Sequence, residues 1–284
     1  MSSNTTASPP TGVTPHARPA ASARAADLVD RSWRPLALLL ALFLVWWAVT
    51  VTGLIQPYLV PSPGATIETL VDNSGYLIQH TWITTLETVV GFALAVAFGV
   101  LAAVLIVYSP TAEKTLYPVL LFAQVIPKIA IAPLFIVWLG FGFSPKVLIA
   151  ILIAFFPIVI SMVAGLRAVD PEMLELAATM GAGPLQTFGK IRLPASLPHL
   201  FSGLKVAVTL AVTGAVVGEF VGGNEGLGFV ILQANGNIDT PMLFAGLIVM
   251  SFVGVVLFFL IELAEKLLLP WHPSRRSNAA TTAF

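Results

Sequence analysis

Six stretches of this chain are apolar for long enough to cross a bilayer as helix: about 36–55, 86–107, 119–139, 147–165, 203–221 and 243–263. A hydrocarbon core needs roughly 20 residues of helix. Within it, every backbone N–H and C=O must find its partner inside the protein. Those two demands leave an all-α membrane protein with about six transmembrane helices as the expected fold. Composition agrees: 57% of the residues are hydrophobic and 10% are charged, against about 25% charged in a soluble domain. With 14 basic and 14 acidic residues there is no excess positive charge, and no nucleic-acid partner is expected. The absence of cysteine excludes disulfides and thiolate metal sites. All four histidines, His16, His80, His199 and His272, fall outside the apolar stretches, so neither metal nor cofactor is expected in the membrane.

Residues 1–35 are rich in Ser, Thr, Ala and Pro and carry Arg18, Arg24, Arg31 and Arg34, the composition of a disordered, basic leader. With the N-terminus placed inside, the inner segments hold twelve of the fourteen Lys and Arg residues. The outer loops hold Lys146 alone, and Lys128 falls within the third stretch. This bias predicts that both termini, including the tail 271–284, are cytoplasmic. Glu87, at the outer start of the second stretch, is expected at the interface with water. Small residues recur every four positions: Gly91, Ala95, Gly99 and Ala103 in the second stretch, and two such stripes in the fifth. These are Gly203, Ala207, Ala211 and Ala215 on one, and Gly214, Gly218 and Gly222 on the other. In lipid, close backbone approach through small residues holds helices together. The fifth stretch is therefore expected at the centre of the bundle.

The inner loop 166–202 carries the most information. Asp170-Pro171-Glu172 is a helix start, with an N-cap acid, proline at the first helical position and a second acid near the positive end of the dipole. Met173, Leu176, Ala177 and Met180 then follow helical spacing on one face, and Gly181 stops the helix. Gly183-Pro184 opens a second short helix, which Leu193-Pro194 is expected to end. The product is a helix–turn–helix too polar to span and too regularly patterned for a linker.

This loop resembles that of the binding-protein-dependent permeases of ABC importers. Their motif reads Glu-Ala-Ala, three residues, Gly, nine residues, then Ile-x-Leu-Pro. Here it is Glu175-Leu176-Ala177, three residues, Gly181, nine residues, then Ile191-Arg192-Leu193-Pro194, departing only at Leu176. The resemblance implies a type I ABC importer permease-like fold with a short cytoplasmic coupling helix. Residues 85–270 would form the core permease domain, with 36–55 as a first transmembrane helix ahead of it. In that family the short helix sits in a groove of a separate ATPase subunit and passes on its closure. The resemblance thus implies ATPase-coupling roles for Glu175, Leu176, Ala177, Gly181, Ile191, Leu193 and Pro194. It also implies ABC ATPase subunits, an extracytoplasmic substrate-binding protein and a permease homodimer as partners, in a bacterial plasma membrane. ATP hydrolysis is expected in the partner, because the glycine run at 183–190 lacks the spacing and the Ser or Thr of a phosphate-binding loop.

Pro127 to Leu134, Glu219-Phe220 and Gly226-Leu227-Gly228 further resemble the nitrate, sulfonate, taurine and pyrimidine-precursor branch. Leu269-Pro270-Trp271-His272 leans towards pyrimidine-precursor or riboflavin importers. The implied substrate is a small polar or anionic organic solute. A charge at mid-membrane costs roughly 2.5–3.5 kcal/mol on insertion scales, so such residues face a bundle interior or a cavity. Pro127 and Pro133 either mark the translocation pathway or are ordinary kinks, and Lys128 between them either lines that pathway or makes a structural contact at the proline break. Glu219, a further candidate for the pathway, either pairs across helices, helps an outer gate or snorkels to the interface. Gly222, Gly226, Leu227 and Gly228 permit tight turns and, with 56–84, are expected to form the outer gate or the contact for the binding protein. The alternative is an ion-coupled secondary transporter using Lys128 and Glu219. It calls for internal repeats with paired broken helices, which the sequence does not display.

Overall fold

A computed structural model describes residues 21–270 and contains helices and connecting turns, with no strand among the described residues. The expected tail 271–284 and the first twenty residues of the expected leader lie outside the described residues. The chain divides into two units, 1–55 and 56–284. The first carries α1 (Ala21–Val51). It begins at Ala21, inside the segment expected as a leader, where Ala21, Ala23, Ala25 and Ala26 are strong helix formers.

The second unit contains α2 (Pro63–Asp72), α3 (Ser74–Tyr108), α4 (Pro110–Val125), α5 (Lys128–Leu139) and α6 (Phe143–Arg167). It continues with α7 (Pro171–Thr179), α8 (Pro184–Thr187), a π-helical turn (Phe188–Arg192), α9 (Leu193–Gly222), α10 (Leu227–Gly236) and α11 (Thr240–Leu268). One device starts four of these helices: a Ser or Asp N-cap with proline in the first turn. Ser62 and Ser109 each accept a backbone N–H at 3.2 Å, Asp170 accepts that of Glu172 at 3.0 Å, and Asp239 that of Met242 at 3.1 Å. Each cap satisfies a donor that the helix cannot satisfy itself.

Among the described residues, α3, α6, the helical run ending in α9, and α11 are long and apolar enough to cross a membrane. The expected third span differs. It is broken into α4 and α5, which bend by 98°, and counts as a fifth crossing only if that pair is one span. Pro127 supplies the reason: it has no N–H to continue the α4 ladder, and Ile126 before it is extended at ψ 127°. Leu36–Val51 of α1 is a shorter apolar helix.

The bundle core is α6 and α9 packed along their lengths, with α3 on α6 and α11 and α10 against α9. The central position expected for the fifth stretch is thus observed. Ala150 of α6 shows why small residues are needed there. A Cβ added at Gly91 of α3 would lie 2.6 Å from the Ala150 methyl, and one at Gly214 of α9 would lie 2.6 Å from the Ala150 Cα. Ala95, Ala103, Ala207, Ala211 and Ala215 are completely buried in the same seams. Phe122, Val125, Ile129 and Val137 of α4 and α5 remain exposed.

Candidate functional site

Two constructions stand at opposite ends of α3, α6 and α9. The first is an elbow formed by α7, α8 and the π turn. Asp170 starts α7, and Gly181 ends it at φ +79°. The Gly181 N–H donates to the Ala178 carbonyl at 3.0 Å and the Ala182 N–H to the Ala177 carbonyl at 2.9 Å. That pair of bonds is a Schellman cap, and the left-handed residue it needs is the glycine expected there. The Gln186 side chain accepts the Gly183 N–H at 3.3 Å to start α8.

Beyond α8 the structure corrects the expected end at Leu193-Pro194, because the helix continues through both into α9. The wide π turn makes this passage. The Leu193 N–H donates to the Phe188 carbonyl, five residues back, and Pro194 falls in the first turn of α9. Pro194 has no N–H to donate, and it follows directly on the turn whose five-residue bonding already departs from the α-helical ladder.

The elbow has an anchored half and a displayed half. Phe188 and Leu193 pack against the main core cluster, and Ile191 and Pro194 are half-buried. Ala177 is buried. Met173, Leu176 (60% exposed), Met180 and Leu185 (86% exposed) carry apolar side chains outward. Glu175 and Gly181 are exposed as well. Two arginine–tyrosine pairs bracket this element. Arg167, at the end of α6, lies 5.7 Å from the Tyr117 ring centre and pairs with Glu113 at 2.7 Å. Arg192, at the end of the π turn, lies 5.5 Å from the Tyr108 ring centre.

The second construction is a buried polar cluster where α3, α6, α9 and the 223–228 segment meet. Glu219 (1% exposed) accepts the Thr84 hydroxyl at 2.6 Å on one oxygen and the Gly228 N–H at 2.5 Å on the other. Thr84 in turn accepts the Leu227 N–H at 2.7 Å, and His80 Nδ1 accepts the Gly226 N–H at 2.9 Å. Consecutive backbone donors at 226, 227 and 228 are thereby held by three buried side chains. Gly226 sits at φ +105°, and a Cβ there would run into the Glu219 carboxylate. Nearby, the Lys146 ammonium donates to Glu87 at 2.8 Å and to the Glu225 carbonyl at 3.1 Å. Lys146 is 2% exposed and Glu87 is 0%. The Glu87 and Glu219 carboxyls are neighbours in this cluster, and the second Glu87 oxygen meets no N–H donor among the described residues.

This cluster revises several sequence expectations. Glu219 is a cross-helix tie and does not snorkel. Glu87 is buried instead of interfacial, because Lys146 lies opposite it. Lys146 is a core residue of the first turns of α6 instead of an outer-loop charge. Gly226, Leu227 and Gly228 are buried with Glu219, while Gly222 is half-buried, with Ile136 where its Cβ would be. His80, Thr84, Glu87 and Lys146 were not singled out as site residues. The spacing His80, Thr84, Glu87 places three polar groups on one helical face, a pattern legible before folding.

Lys128 is brought to neither construction. It opens α5 at the break, donates to the Gln124 carbonyl at 3.1 Å and lies 4.7 Å from the centre of the Phe156 ring of α6. Both contacts favour a half-buried cation. Pro127 and Pro133 are exposed.

Four long apolar helices, a broken pair and an elbow between α6 and α9 define a polytopic membrane protein. Comparison with known proteins then makes the assignment specific. Residues 95–271 match the family described as binding-protein-dependent transport system inner membrane component, and the chain belongs to that family. It is 38% identical over 232 residues to a probable ABC transporter permease protein of Haemophilus influenzae, covering 82% of this chain and 95% of that one. It is 36% identical over 247 residues to the formylaminopyrimidine transport permease of Halalkalibacterium halodurans, covering 86% and 99%. It is 38% identical over 258 residues to the riboflavin transport system permease of Chloroflexus aurantiacus, covering 89% and 96%. The fold is similar to that of a chain of the MetNI methionine ABC transporter in an inward-facing conformation. The TM-score is 0.60 at 22% identity, over 70% of this chain and 97% of that one. The protein is the membrane permease subunit of an ABC importer. Nothing supports the ion-coupled alternative, and Glu219 is already engaged by Thr84 and Gly228.

Proposed function

We propose that this permease takes its energy from a separate ABC ATPase that docks on the elbow 171–192. The observation that carries this is the displayed apolar face of Met173, Leu176, Met180 and Leu185, on an element rigidly capped at both ends of α7 and anchored through Phe188 and Leu193. Glu175, Ala177, Gly181, Ile191 and Pro194 shape that element instead of touching substrate. Its face is short and apolar, which suits a groove in a soluble partner. The elbow end is cytoplasmic in this reading. The charge bias supports it more strongly once Lys146 is placed in the core, since the outer loops then hold no exposed lysine or arginine.

The cluster end faces the other compartment, where an extracytoplasmic binding protein delivers the solute. The tied 223–228 segment is the outer gate element, and Lys128 at the α4–α5 break lines the pathway. A second copy of the chain completes the pore. The solute belongs to the pyrimidine-precursor or riboflavin class, a reading supported by relatives transporting those compounds at 36% and 38% identity. Leu176→Glu places a charge in the docking face. It should weaken retention of the ATPase subunit by about tenfold, or about 1.4 kcal/mol, while the permease remains folded. Full retention of the ATPase by that variant would sink the docking reading.

A further inference from the structure

Tyr108 is the last residue of α3, a helix of 35 residues without a proline. At 1.5 Å per residue it is a rod of roughly 52 Å. Its far end carries His80 and Thr84, which hold the backbone N–H groups of Gly226 and Leu227. Its near end is gripped by the elbow. The Phe188 ring meets the Tyr108 ring edge-on at 5.7 Å between centres, and the Arg192 guanidinium lies 5.5 Å from the Tyr108 ring centre. Phe188 and Arg192 are the first and last residues of the π turn. One aromatic ring is therefore held by both ends of the one irregular turn in the run from α8 to α9. Such turns are rare, occur mostly as single turns inside α-helices and are frequent at functional sites.

We propose that Tyr108 is the positioning residue through which displacement of the elbow reaches α3 and, along α3, the 226–228 tie. The physical reason is that a hinge transmits motion only where it grips something stiff. The π turn can change its winding, whereas an unbroken helix moves as a body. The other bracket, Arg167 on Tyr117 and Glu113, grips α4 instead. It serves as an internal comparison, since α4 ends at the Pro127 break and has no part in the tie. The inference rests on the elbow being the docking site for the ATPase.

The chain has no cysteine, so a single reporter can be introduced. Asn224→Cys lies exposed in the tied segment. Its rate of modification by a water-soluble maleimide would be measured in vesicles containing the permease and its ATPase subunit, with and without ATP and vanadate. The expected result is a nucleotide-dependent change of about tenfold, within the range of coupling between distant sites. Tyr108→Ala should abolish it, Tyr108→Phe should retain it and Tyr117→Ala should leave it intact. Steady ATP hydrolysis in each variant shows that the complex has assembled. If Tyr108→Ala does not assemble, Arg192→Gln, which removes only the stacked cation, should reduce the same response. No nucleotide response in the unaltered pair would overturn the proposal. So would a full response in Tyr108→Ala or Arg192→Gln, or an equal loss in Tyr117→Ala. Failure of the docking reading is read separately, as ATPase binding that survives Leu176→Glu.

Discussion

Lys146→Met tests the buried cluster most directly. The substitution keeps an unbranched side chain of similar length but removes a cation that is 2% exposed and sits 2.8 Å from Glu87. Glu87 then loses its ammonium partner and is left facing the buried Glu219 carboxyl. Removing one member of a buried pair costs about 3–5 kcal/mol, mostly because the other charge is stranded. Glu87→Gln added to Lys146→Met removes the stranded charge. What remains lost is chiefly the 3.1 Å bond from the Lys146 ammonium to the Glu225 carbonyl, worth about 1.5–3 kcal/mol for a charged donor. The double variant should thus be more stable than Lys146→Met alone by about 1–3 kcal/mol. Loss of helicity during titration with dodecyl sulfate, against a constant background of mild detergent, measures each variant. If Lys146→Met unfolds with the unaltered protein, or if Glu87→Gln fails to rescue it, the cluster does not hold these helices as described.

Gly226→Ala combines a φ of +105° with a Cβ directed into the Glu219 carboxylate. It should raise amide hydrogen exchange at 226–228 by about tenfold or more, as backbone strain of about 1–3 kcal/mol is relieved by opening. Gly214→Leu forces side-chain atoms into Ala150, whose Cα lies 2.6 Å from the position of a new Cβ. It should destabilise the α6–α9 seam by at least about 1–3 kcal/mol, seen as a lower melting temperature in detergent. Lys128→Met should cut uptake of the solute carried by the binding protein while leaving ATPase retention unchanged, and uptake at the original rate would remove Lys128 from the pathway.

The features legible in the sequence share one property: each depends on residues close together along the chain. Apolar runs of bilayer length announce α3, α6, α9 and α11. The caps at Asp170 and Gly181, with proline or glycine where each turn needs it, give α7 both its ends. The four-residue spacing of Gly91, Ala95, Gly99 and Ala103 shows that α3 has a close-packing side. The transporter family is readable from the elbow motif for the same reason.

Tertiary structure alone decided how charges and breaks are used. Glu87 and Lys146 are 59 positions apart and look like two interfacial charges until α3 and α6 are laid together. Glu219 finds Thr84 at a separation of 135 and Gly228 at nine, and only the folded loop brings both to one carboxylate. Pro194 read locally as a stop, yet the π turn at 188–192 shifts the hydrogen bonding enough to carry the helix past it. Local hydrogen bonding and side-chain spacing fix which segments become helix. Which buried charge meets which donor depends on helix packing, and no short window of sequence contains that information.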